Sequence, residues 1–135
     1  MKGYITHIEE TTVKNSLYRQ VLFTATNSQL VVMRLKPGEE IGEEVHDLDQ
    51  FIRFEAGNGK VVMDGQDHAV HDGIAVVIPA GTRHNVINTS ADADLKLYSL
   101  YSPPEHKTGT RHRTKKDADA DADHHFDGRT SMDNQ

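Results

Sequence analysis

The chain has 135 residues, enough for one compact domain with its own core, and no cysteine, which excludes disulfides, thiolate metal sites and thiol catalysis. Its 15 basic and 21 acidic residues leave a net charge of −6, and with no Trp and 6% aromatics it offers neither the counterion release nor the stacking platform of a nucleic-acid binder. No apolar run reaches membrane-spanning length and the start, Met1-Lys-Gly-Tyr-Ile-Thr-His7, lacks a secretory apolar stretch, so a soluble cytoplasmic protein with no membrane partner is expected.

Short β-rich segments follow one another to about Tyr101. Leu30–Lys36 is rich in branched residues and stops at Pro37-Gly38. Gln50–Glu55 alternates in part and stops at Gly57-Asn-Gly59. Lys60–Met63 runs into Asp64-Gly65, a hairpin signal. His68–His71 meets Asp72-Gly73. Ile74–Ile78 is wholly apolar, as expected of a strand covered on both faces. Asn85–Asn88 and Leu95–Tyr101 complete the series. Turn signals at this spacing predict an all-β sandwich or barrel, with no helix before Tyr101.

Beyond Tyr101 the composition changes. Ser102-Pro-Pro104 interrupts the strand pattern, a basic stretch runs from Lys107 to Lys116, and Asp117, Asp119, Asp121 and Asp123 alternate with Ala. We divide the chain into a barrel over 1–104 and a charged tail over 105–135. Thr114 is placed to cap a short helix with Asp117 at its third position. The tail reads as a frayed surface segment, and His124-His125 as solvated within it. His68 and His71 read as surface residues, and alternation turns Arg83 outward.

Gly73 to Asn88 reads G-x5-P-x-G-x2-H-x3-N, with His84 just past a Pro79–Gly81 corner. Upstream, Pro37-Gly38-Glu-Glu-Ile-Gly-Glu-Glu44-Val-His46 leads through Asp47-Leu-Asp49 to Gln50 and, six residues on, to Gly57. Glu44 and His46 are two apart, so on one strand they point the same way. By the same rule Ile52 and Phe54 share the face of Gln50, and Phe51 takes the other.

These two segments resemble the motifs of the cupin superfamily, over about residues 25–101. The second motif is complete. In the first, G-x5-H-x-H-x3,4-E-x6-G, His46 falls on the second His, Glu44 replaces the first His and Gln50 replaces the Glu. The 58–72 spacer resembles that of small single-domain bacterial cupins, often labelled mannose-6-phosphate isomerase-like. The resemblance implies a double-stranded β-helix (jelly-roll) barrel in which Glu44, His46, Gln50 and His84 converge on a divalent metal: Mn, Fe, Zn or Ni. Glu44 contributes the negative charge and Gln50 is neutral, so the total ligand charge is unchanged. Glu44 is also the candidate acid/base. The expected function is a divalent-metal-dependent enzyme acting on a small sugar-like or carboxylate molecule held in the barrel. The alternative is a non-catalytic binding or sensor module. The resemblance further implies a homodimer that buries an edge strand or exchanges N-terminal strands, with Tyr4–Ile8 the candidate strand for that exchange.

Overall fold

A computed structural model describes residues 2–133. Among these residues nine strands form two antiparallel sheets that face each other as a jelly-roll. β1 (Arg19–Thr24), β2 (Gln29–Leu35), β3 (Asp49–Ala56), β6 (Ala75–Ile78), β8 (Leu95–Ser102) and β9 (Arg111–His112) make the larger sheet, in the order β6-β3-β8-β2-β1-β9. β4 (Asn58–Met63), β5 (Gln66–His71) and β7 (His84–Asn88) make the smaller, in the order β5-β4-β7. Bridges from Glu40 to Ile87 and from Glu44 to His84 lay the segment before β3 along the free edge of β7.

The core lies between the sheets. Alternation on β3 turns Gln50, Ile52 and Phe54 inward and Phe51 and Arg53 outward, as their spacing predicts. Ile52 and Phe54 meet Met33, Leu35, Leu95 and Leu97, all essentially without solvent contact. Burial of each such side chain contributes about 1.5–3 kcal/mol, which drives closure of the sandwich. Asn88, the last residue of the second motif, is buried for a hydrogen-bonding reason. Its side-chain amide donates to the carbonyls of Leu35 (3.0 Å) and Ala93 (2.9 Å), tying β7 to the end of β2 and the approach to β8.

Three expectations are corrected. A helix, α1 (Ile8–Lys14), precedes the barrel, and residues 4–7 are irregular, so Tyr4–Ile8 is not a strand within the protomer. The all-apolar run at Ile74–Ile78 becomes β6, an edge strand covered on one face, with Val77 63% exposed. The tail is not a frayed surface segment. β9 pairs with β1, and His106, His112 and Thr130 are buried. The short helix is present as α2 (Lys115–Ala120), its Asp117 N–H donating to Thr114 Oγ1 at 3.1 Å. His124 is part-buried, its ring stacked on His106 and His125, so it is not solvated. His68 and His71 are exposed, as is Arg83, which pairs with Glu43. No helix among the described residues is long and apolar enough to cross a membrane.

Candidate metal centre

Backbone pairing, ahead of any side-chain contact, brings the two motif segments together. The N–H of Glu44 donates to the His84 carbonyl at 2.8 Å, and the N–H of His84 returns a bond to Glu44 at 2.9 Å. At the Pro79–Gly81 corner, Gly81 has φ +84° and its N–H donates to the His46 carbonyl at 2.8 Å. A left-handed residue there costs glycine nothing and other residues 1–3 kcal/mol or so. Asp49, the first residue of β3, braces the same corner by accepting from Ala80 N–H at 2.9 Å.

On this frame Glu44, His46 and His84 place one ligand atom each within 4.8 Å of one another. The sequence-predicted pairing of Glu44 with His46 across one intervening residue is thus realised, with Val45 turned out between them. His84 Nδ1–H donates to the Thr82 carbonyl at 2.9 Å, which fixes its tautomer and leaves Nε2 as the free lone pair. His46 Nε2 lies 3.7 Å from Glu44 Oε1. Its ring stands 5.3 Å from that of His84 and meets Tyr101 edge-on.

Burial raises the Glu44 carboxyl, but His46, Arg19 and His84 together outweigh it and hold the group below its ordinary range. Burial lowers the His46 imidazole, and the carboxylates of Glu44 and Glu105 outweigh that, so its pKa is raised. Two imidazoles and a carboxylate suit a divalent first-row ion.

Gln50 lies behind this trio, at the start of β3 and 4% exposed. Its amide N–H group donates to Ser99 Oγ (3.1 Å) and Tyr101 OH (3.3 Å). Its Oε1 is buried with no hydrogen-bond partner. A buried acceptor left over costs about 1–3 kcal/mol unless something satisfies it. That surplus and the donor set of the trio both fit a cation at this end of the barrel.

A cavity of about 600 Å³ opens beside Glu44 and His46. Its other side is built by the C-terminal segment, through Pro103, Pro104, Glu105, His124, His125 and Phe126. Glu105 was not singled out from the sequence, where it is one acid after a Pro-Pro pair with no spacing to either motif. Its Oε2 lies 3.5 Å from His46 Nδ1. Arg19, also missed, is a buried cation whose Nη1 lies 3.1 Å from His112 Nδ1; His112 in turn reaches Asp121 at 2.9 Å. Only its place on an otherwise ordinary strand hid it.

Comparison with known proteins agrees with this geometry. Residues 31–101 match the Cupin domain model. The Bacillus subtilis uncharacterized protein YrkC is 46% identical over 129 residues, covering 90% of this chain and 69% of that one. The uncharacterized protein L612 of Acanthamoeba polyphaga mimivirus is 44% identical over 111 residues, covering 78% and 69%. A Bacillus halodurans crystal structure is 43% identical and superposes with a TM-score of 0.84, covering 87% of this chain and 93% of that one. A two-sheet barrel carrying both motif segments, matched over most of its length by such relatives, belongs to the cupin family.

Proposed function

We propose that the protein is a divalent-metal-dependent enzyme acting on a small, uncharged, sugar-like molecule taken in at the mouth of the barrel. The convergence of Glu44, His46 and His84, two of which also line the cavity, carries this reading. Those three would hold the ion, with Gln50 Oε1 as a fourth, weaker donor. A bound divalent ion supplies Lewis acidity toward a substrate hydroxyl or carbonyl. Glu44 is held ionised, so one carboxylate oxygen would hold the ion and the other would accept a proton from a substrate hydroxyl.

The lining favours the sugar-like over the carboxylate substrate. It includes Glu44, Asp47 and Glu105 and no Lys or Arg, which disfavours an anion. Val45, Leu48 and Phe126 offer apolar surface to the C–H faces of a ring. A sugar phosphate would find no Lys or Arg among these residues, so the mannose-6-phosphate isomerase-like label draws no support from the cavity.

The test is metal analysis of tag-free protein, followed by thermal melts with neutral monosaccharides and their phosphates. One ion per chain, lost to chelator with a lower melting temperature, is expected. Neutral sugars should then raise the melting temperature only of metal-loaded protein. Protein that carries no metal and is indifferent to chelator would sink the enzyme reading. Equal stabilisation of the metal-free form would favour the binding module.

The partner expected is a second copy of the chain. Val77, Leu100 and Tyr4 stand exposed on the larger sheet and beside it, Tyr4 stacked on Phe23 at 5.7 Å, and β6 is an open edge. Light scattering should return twice the chain mass; a single-chain mass would overturn this.

A further inference from the structure

The C-terminal segment does more than wall the cavity: we infer that Glu105 is a positioning residue for the metal site, holding the His46 ring through Nδ1 so that Nε2 faces the ion. This rests on the metal-binding reading of Glu44, His46 and His84.

The two nitrogens of His46 face different carboxylates. Nε2 faces Glu44 Oε1 at 3.7 Å, and Nδ1 faces Glu105 Oε2 at 3.5 Å. An imidazole that ligates through Nε2 must keep its proton on Nδ1, and a carboxylate beside Nδ1 favours that tautomer. His84 solves the same problem with a backbone carbonyl, that of Thr82 at 2.9 Å. His46 has no hydrogen bond of that kind, and Glu105 stands where it would be.

Glu105 is itself held from several directions. Its side chain is 13% exposed, and its other oxygen, Oε1, lies 3.3 Å from His125 Nδ1. Its backbone is gripped by Gln29, a fully buried residue of β2. The Gln29 Oε1 accepts from the N–H groups of Glu105 (3.3 Å) and His106 (3.0 Å), while its Nε2 donates to the His106 carbonyl (2.7 Å) and to Thr24 Oγ1 (2.9 Å). The strand-like pairing of 105–107 with 124–126 adds Phe126 N–H to the Glu105 carbonyl at 2.9 Å and Lys107 N–H to the His124 carbonyl at 2.7 Å. A carboxylate so fixed has little rotamer freedom to lose in orienting a neighbour. No residue of either motif accounts for this grip, whose effect is to set one acid beside one imidazole.

Cobalt(II) titration of the metal-free full chain, followed by its visible absorption, tests the assignment. Glu105→Ala should weaken cobalt binding by about 10–100-fold, the usual cost of losing such a partner, and shift the visible bands. Glu105→Gln keeps the volume and an acceptor but loses the charge, and should fall between Ala and wild type. Wild-type affinity and bands in Glu105→Ala would overturn the inference. Full recovery in Glu105→Gln would overturn the role of the charge, an uncharged acceptor beside Nδ1 then being enough. Failure of the wild-type chain to bind cobalt would instead overturn the metal reading itself, and this inference with it.

Discussion

His84→Ala should lower divalent-metal affinity by more than about 100-fold, since removal of a ligand must cost more than the 10–100-fold typical of a partner behind it. His84 is the one donor of the three on β7, and its Nε2 has no competing hydrogen bond; the Thr82 carbonyl takes Nδ1–H. Zinc or cobalt titration of the metal-free variant measures the loss, and an affinity within a few-fold of wild type would remove His84 from the ligand set. The same titration has a defined pH dependence. An ion must displace the proton from His46, whose pKa is raised above 6.5, so affinity should fall about tenfold per pH unit below that raised value. In the metal-free protein the trend on the basic side reverses. The raised His46 pKa contributes stability that is complete below pH 6.5 and disappears as pH climbs through the folded-state value. The lowered Glu44 pKa contributes stability that is complete above pH 4.5 and disappears as pH drops through its own folded-state value. Both contributions coexist between those limits, so His46→Ala should destabilise metal-free protein most in that window and less above the raised His46 value.

Gly57→Ala is expected to destabilise the fold by roughly 3 kcal/mol or more, lowering the melting temperature by about 10 °C. Gly57 lies between β3 and β4 at φ +94°, and a Cβ there would stand 2.3 Å from the Asp94 carbonyl oxygen and 3.0 Å from Leu95 Cα. Both obstacles are backbone, where β8 begins, so neither can swing aside. Gly38 provides the control. Its φ is +76° but a Cβ would meet nothing within 4 Å, so Gly38→Ala should cost only the backbone strain. Thermal melts of the two variants separate crowding from conformation. Equal losses would show that close approach to β8 is unimportant.

The barrel was legible because its strands obey simple alternation between strong turn signals. Gln50, Ile52 and Phe54 turn inward as their spacing requires, and Asp64-Gly65 closes a hairpin. α1 was not legible: Ile8-Glu-Glu-Thr-Thr-Val-Lys14 has four β-branched residues, no side-chain N-cap at His7, and only seven residues. Its helix rests on packing, with Thr12 buried and its hydroxyl donating to the Ile8 carbonyl at 2.7 Å. β6 was misjudged because an apolar run does not reveal whether its second face is covered. The site divides the same way. Glu44, His46 and His84 follow from two motif segments, whereas Glu105 is positioned by Gln29, 76 residues away, through hydrogen bonds that no local pattern encodes. Polar residues buried by long-range bonding, such as Gln29, Arg19 and His106, also made the C-terminal segment look solvated.

All three converging donors fall inside the stretch shared with the cupin domain, residues 31–101, while one whole side of the cavity comes from residues after it. On the proposed reading, metal binding and ligand selectivity therefore lie on separate stretches of chain. Drift or replacement after residue 102 would then change the molecule admitted without touching a proposed ligand, and relatives with the same donors need not share a substrate.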